Sequence, residues 1–170
     1  VLSAWATRYL APTDLEEAPL PDIEREEGNV YVGETGEGTF SNHVFAGSHY
    51  IRADEPEEKG GDDTGPNPYD FVVAGLGACT SMTLRMYANH KGWPVESVEV
   101  WLEHEKIHAA DCADCPDKEG KIDRIERRIR IEGDLEEEQR ERMLEIADKC
   151  PVHRTLTQTN RIETRLDGGA

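Results

Sequence analysis

GPNPYDFVVAGLGACTSMTLRMY, Gly65 to Tyr87, is the long apolar run of the chain, and Cys79 stands at the end of its unbroken part. Asn67 followed by Pro68 reads as a helix start. The Asn side chain can accept from free backbone N–H groups, and Pro at the first helical position gives up a donor that had no partner. From Phe71 to Cys79 no residue is polar, so no face of that segment prefers water and an interior helix is predicted. Gly75 and Gly77 each cost about 1 kcal/mol relative to Ala inside a helix. Their presence implies that another backbone or a ligand comes close there. Nine apolar residues fall short of the roughly 20 that cross a bilayer, which leaves a core helix carrying a thiol.

On the amino-terminal side of this helix, Asp54 to Thr64 (DEPEEKGGDDT) is charged and Gly-rich, a solvated loop. Before it, Asn29 to Glu34, Thr39 to Phe45 and Ser48 to Ala53 are short strand-forming stretches separated by turns at Gly36, Gly38 and Gly47. They predict an antiparallel meander. Residues 1 to 28 hold no sustained period. Pro12, Pro19 and Pro21 interrupt them and acidic residues dominate after Asp14, so a tail or linker is expected.

On the carboxy-terminal side, Gly92 and Pro94 end the helical pattern and the period becomes two. Val98, Val100 and Leu102 alternate with outward candidates, and Ile125, Ile129 and Ile131 alternate with Arg124, Glu126, Arg128 and Arg130. A half-buried strand pair follows, with a long hairpin loop from about Ile107 to Lys121. Asp134 with Glu137 resembles a capping box for a helix to about Lys149, whose apolar stripe is Met143, Ile146 and Ala147. Cys150 precedes Pro151, which pushes it out of helical geometry and into the N-cap position of a short further helix. A last strand is expected from Thr159 to Leu166.

The chain has 170 residues, enough for one core. Its 36 acidic against 19 basic residues give a formal net charge of −17. Such a surface repels phosphate backbones and anionic lipids, so nucleic acid and membranes are not expected partners. Four cysteines without a signal-type leader suggest a reducing compartment, the cytoplasm by default, where thiols serve chemistry or metal more often than crosslinks.

Cys79 alone reads as a small buried hydrophobe and Cys150 alone as an incidental helix-end residue. Together they form a candidate pair, because the stripe of the second helix points Cys150 toward the core that holds Cys79. Two thiols across one core support a defined reaction: a thiolate attacks a hydroperoxide O–O bond, becomes a sulfenic acid, and is resolved by the second thiol into a disulfide. Local electrostatics favour Cys150 as the anion, since it starts a helix and has His153 nearby, whereas Cys79 is mid-helix. A second constellation is His104, His108, Cys112 and Cys115. Four ligand-type residues invite a structural zinc site, but on one strand the two histidines would stand about 13 Å apart. A dithiol or plain loop at Cys112 and Cys115 ranks first and a metal site second. No other cofactor is implied.

At these residues the sequence resembles the OsmC/Ohr family of organic hydroperoxide reductases. The resemblance rests on GPNPYDFVVAGLGACTSMTL (Gly65 to Leu84) and CPVH (Cys150 to His153), and it implies that residues 29–170 form an OsmC-like domain. The fold implied is α+β, antiparallel sheets around a central Cys-bearing helix, assembled as an intertwined homodimer. The activity implied is thiol-dependent reduction of small hydroperoxides by Cys79 as attacker and Cys150 as resolver, with an external dithiol closing the cycle. Phe71, Val72, Leu76 and Met82 would line the substrate pocket, with Asp70, Arg52 and His153 in support. Classical members carry a Glu after the Asn-Pro and an Arg on the amino-terminal strands. Tyr69 holds the Glu position here with Asp70 next to it, and Arg52 is the nearest Arg, so the chain looks more like the broader OsmC-like branch that includes domains fused to α/β-hydrolases. Two alternatives stand beside the peroxidase: a non-catalytic module binding a small apolar ligand or partner domain in the same cleft, and a metal-stabilised interaction domain.

Overall fold

The computed structural model describes residues 22–24, 28–109 and 120–167; Cys112, Cys115 and most of the amino-terminal tail lie outside them. β1 (Val30–Glu34), β2 (Asn42–Ala46) and β3 (His49–Ala53) form the expected antiparallel meander in the order β1-β2-β3. Phe45 on the central strand lies opposite Tyr31 and Tyr50. The tilted rings, 6.4 and 4.9 Å apart between centroids, bury Phe45 almost completely.

The acidic loop that follows is tied from inside. The buried Asp54 carboxylate accepts from the amides of Glu55, Asp62 and Thr64 and from the Thr64 hydroxyl at 2.8–3.3 Å. The Asp54 amide in turn reaches the Pro66 carbonyl (3.2 Å), which delivers the chain to the start of the main helix.

That helix, α1 (Pro68–Lys91), begins as the sequence indicates. Asn67 Oδ1 accepts from the amides of Tyr69 and Asp70, and Asp70 Oδ2 accepts from the Asn67 amide at 2.9 Å. Gly92, at φ 65°, closes it in the left-handed conformation. Its 24 residues make it longer than the apolar run, long and apolar enough by length and composition to cross a membrane. Leu76, Gly77, Thr80, Leu84 and Ala88 are buried against the rest of the chain, as expected of a core helix. The expectation of burial on every face does not hold within one chain. Val72, Met82 and Met86 are 41%, 65% and 71% exposed. They recur with Gly75 and Cys79 at alternating three- and four-residue spacing and so share one stripe.

β4 (Val95–His108) and β5 (Lys121–Gly133) pair antiparallel in a second sheet. The alternation places Val98, Val100, Leu102 and His104 on the inner face opposite Ile131, Ile129, Arg127 and Ile125. Gly77 meets this face, where an added Cβ would lie 2.6 Å from Leu102 Cδ1; at Gly75 nothing comes within 4 Å. The close approach expected of a backbone or ligand is, at Gly77, made by a leucine side chain, and at Gly75 by nothing among the described residues.

α2 (Glu137–Ala147) contributes Met143, Ile146 and Ala147 to a core with Leu84, Ala88 and Val95, as its stripe predicts. Its cap is not Asp134 with Glu137. The Leu135 amide turns back to the Gly133 carbonyl (3.0 Å), spending Asp134 and Leu135 on the exit from β5. Glu136 becomes the N-cap, its amide donating to Gln139 Oε1. α3 (Pro151–Thr157) starts at Cys150. The expected strand from Thr159 to Leu166 does not form. Asn160 Nδ2 holds the segment to the carbonyls of Thr155 and Gln158, no strand edge among the described residues pairs with it, and Ile162 and Leu166 are 88% and 97% exposed.

Candidate active site

Cys79 and Cys150 are brought together, both as free thiols. α1 presents Cys79 at the border between its buried and exposed stripes, half-buried, while Cys150 at the α2–α3 joint has no exposed surface. The joint is fixed from both sides: the Cys150 amide donates to the Ala147 carbonyl (3.3 Å), and its carbonyl accepts from Arg154 (3.1 Å). Burial pushes the Cys150 thiol up, but donors outweigh it: the Cys79 side chain, the backbone amides of His153 and Val152, and the Thr80 hydroxyl hold it below its ordinary value. Of the two thiols, Cys150 is buried and Cys79 half-buried, so Cys79 is the one open to a reactant.

The cation of this site comes from β5. Arg127, with only 13% of its side chain exposed, donates through Nη1 to Thr80 Oγ1 (3.0 Å) and the Ala147 carbonyl (3.2 Å). Its Nη2 reaches Asp148 Oδ1 (2.7 Å). His153 Nδ1 lies 3.9 Å from the same carboxylate oxygen. One guanidinium thus bridges α1, β5 and the residues just before Cys150. The sequence carried the signal: Ile125, Ile129 and Ile131 face inward, so period two puts Arg127 inward as well. Arg127 was masked by a run in which every other Arg and Glu points out.

Arg52 is paired within the chain with Glu37, whose carboxyl it lowers. The Asp70 side chain is committed to its own helix cap. Leu76, Asp123, Ile125, Arg127, His153, Leu156 and Thr157 line a cavity of about 290 Å³, with Arg127 shared between it and the Thr80–Ala147 joint. Of the four expected pocket residues only Leu76 is among its walls; Val72 and Met82 lie on the exposed stripe and Phe71 is half-buried elsewhere on α1. His104 stacks on Tyr69 (centroids 3.9 Å, 8° apart) and hydrogen-bonds Asp123 at 2.9 Å. It lines a second, open cleft of about 550 Å³ with Asp70 and Lys106. His104 and His108 are on one strand, and no group of three or more metal-ligand side chains occurs among the described residues.

The OsmC-like protein family model matches residues 60–165, more than half of the chain. The fold is similar to that of an organic hydroperoxide resistance protein OsmC from Legionella pneumophila (19% identity, TM-score 0.57, covering 78% of this chain and 92% of that one). An OsmC-like protein from Mycoplasma pneumoniae is similar at 17% identity and TM-score 0.60, covering 78% and 89%. So is an organic hydroperoxide resistance protein from Elizabethkingia anophelis with thiocyanate bound, at 19% identity and TM-score 0.57, covering 79% and 91%. No curated protein sequence matches the chain. With the α+β fold, the Asn67-capped helix and the family match across both thiol motifs, the chain belongs to the OsmC-like protein family.

Proposed function

We propose that the protein reduces small organic hydroperoxides with the Cys79/Cys150 pair. The observation that carries the reading is a half-buried free thiol on α1 together with a buried free thiol at the start of α3, a helix that packs against α1. Relatives named for organic hydroperoxide resistance support it.

In the proposed cycle the Cys79 thiol gives its proton to solvent and the resulting thiolate attacks the terminal oxygen of ROOH. The S–O bond forms as O–O breaks, and RO⁻ takes a proton and leaves as an alcohol. Cys150 then attacks the Cys79 sulfenic acid, expelling its oxygen as water and closing a disulfide. An external dithiol restores both thiols and is itself oxidised to a disulfide. The cavity walls Leu76, Ile125 and Leu156 suit the alkyl group, and Arg127, in the same wall, offers a positive charge for the departing oxygen. A second copy of the chain completes the site on the exposed stripe of α1.

Peroxide consumption with a dithiol reductant tests this, comparing an alkyl hydroperoxide with hydrogen peroxide. Cys79→Ser abolishes even the first turnover. Cys150→Ser reduces one equivalent and leaves a sulfenic acid on Cys79 that a dimedone-type trap labels. Label on Cys150 in a Cys79→Ser protein that keeps its first turnover would reverse the roles. Equal consumption by both variants and the unaltered protein would discard the enzyme in favour of the ligand-binding module.

A further inference from the structure

Along the inner face of β5 stand Arg127, Ile125 and Asp123 in turn, and all three line the cavity of about 290 Å³ together with Leu76, His153 and Leu156 from the helices. Four residues of extended chain put Arg127 and Asp123 about 13 Å apart along the strand. Arg127 marks the end toward the thiols. Its Nη1 donates to Thr80, the residue after Cys79, and to the Ala147 carbonyl, which also accepts from the Cys150 amide. Asp123 marks the other end. Its Oδ1 is hydrogen-bonded to His104 Nε2 at 2.9 Å and lies 3.5 Å from Lys106 Nζ, both on β4. His104 is itself fixed by its stack on Tyr69 in the first turn of α1. Both contacts go to one oxygen and half of the Asp123 side chain remains exposed, so the carboxylate is oriented without being covered. The His104 hydrogen bond above all, with Lys106 in support, holds its carboxyl below the ordinary value, and it is anionic near neutral pH. The cavity is therefore polarised lengthwise, with a cation at the thiol end, aliphatic side chains between and an anion at the far end.

We infer that Asp123 is a specificity-determining residue, which restricts the cavity to hydroperoxides that carry no anionic group at the end away from the peroxide. The substrate class so named rests on the thiol chemistry proposed above. With the peroxide toward Arg127 and the organic body against Leu76, Ile125 and Leu156, a carboxylate on the far end of the substrate is delivered to Asp123, and two like charges meet. Lys106 does not relieve the clash, because its charge is already engaged by Asp123. Arg127 does not invite the reversed pose either. Its two terminal nitrogens are committed to Thr80, Ala147 and Asp148, and a carboxylate bound there would leave the peroxide at the end away from Cys79. Ligand pockets commonly enclose about 300–1,000 Å³, so this one takes a small alkyl or aryl body. Neutral hydroperoxides of that size are admitted and carboxylate-tailed ones are turned away.

Cumene hydroperoxide and its para-carboxy derivative differ by one charge at the end away from the peroxide, and their kcat/KM ratio reads the selection. The unaltered protein is expected to favour the neutral compound about tenfold, with the difference in KM. Asp123→Asn narrows the ratio several-fold and Lys106→Gln widens it. Glu99→Gln removes one negative charge from the outer face of β4 and is expected to leave the ratio in place, which separates the site from the net charge of −17. A ratio near one in the unaltered protein, or a ratio that Asp123→Asn does not move, overturns the proposal and leaves the peroxidase standing. The same selection is read without turnover from the dissociation constants of the two product alcohols, 2-phenyl-2-propanol and its para-carboxy derivative, by titration calorimetry. A preference for the neutral alcohol that Asp123→Asn narrows, in a protein that consumes no peroxide, upholds the selection at the cavity and discards the peroxidase. Absence of both binding and turnover overturns both.

Discussion

Asp148 and Thr80 hold different nitrogens of one guanidinium, Nη2 and Nη1 of Arg127. The Asp148 carboxylate lies 2.7 Å from Arg127 Nη2 and offsets part of the positive charge near Cys150. Asp148→Asn should therefore lower the pH at which Cys150 ionises, by a few tenths of a unit because Asp148 is largely exposed and screened. Faster iodoacetamide labelling of Cys150 at pH 6 would show it; slower labelling would mean that Asp148 matters only as a spacer. Asp54 makes a different prediction. The Thr64 hydroxyl above all, with the Glu55, Thr64 and Asp62 amides, holds its carboxyl below the usual value. A lowered folded value gives stability that is complete above the unfolded value of about 3.9 and is lost as pH falls through the lower folded one. Asp54→Asn should flatten that acid limb in melts taken between pH 5 and pH 2, and an unchanged limb would assign the acid sensitivity elsewhere.

At the scale of elements, the contact between α1 and the second sheet turns on Gly77. Ala would gain about 1 kcal/mol in helix propensity. Its Cβ would also lie 2.6 Å from Leu102 Cδ1, and overpacking at such a contact costs about 1–3 kcal/mol. The steric term is the larger, so Gly77→Ala should lower the melting temperature; a rise would mean that Leu102 swings clear. The two ends of α1 and the start of α3 were legible in the sequence because their causes are local: Asn67 with Pro68, Gly92, and Cys150 with Pro151. Arg127 was legible only in principle. Its inward side follows from the period of Ile125, Ile129 and Ile131, yet a charged residue in a charged run invites the outward reading. The α2 cap was misplaced by two residues because Asp134 and Glu136 both suit an N-cap, and only the turn after Gly133 decides between them. The strand from Thr159 to Leu166 has strand composition, but a strand also needs an edge to pair with, and no local pattern tells where one is.

For the whole molecule, the uncovered apolar side chains among the described residues include the stripe Val72, Met82 and Met86 around Gly75, and Ile162 with Leu166. A second copy packed along that stripe would account for Gly75, which has no atom of the described residues within 4 Å of an added Cβ. Light scattering should give twice the 19.1 kDa chain mass at micromolar concentration, and Gly75→Leu should return the mass to one chain. Each copy carries a net charge of −17, so the pair should dissociate more readily at low salt than at high. A single-chain mass throughout would leave the stripe to some other partner.

Cys150 lies buried where α2 gives way to α3, and Cys79 lies on a helix reached through roughly 70 intervening residues, so joining them ties a large loop shut. Closing a loop of this size lowers the entropy of the unfolded chain by an amount worth roughly 4 kcal/mol in the chain-entropy account. Around a thermodynamic cycle the same free energy appears on the other side: the folded protein holds its disulfide more tightly than the unfolded chain would, by as much as the disulfide steadies the fold. The oxidised form would be the heat-resistant one and the reduced form the softer. The melting temperature would then record how recently each molecule had met an oxidant, and the dithiol that resets the pair would have to be a stronger reductant than an unstructured peptide with these two cysteines requires.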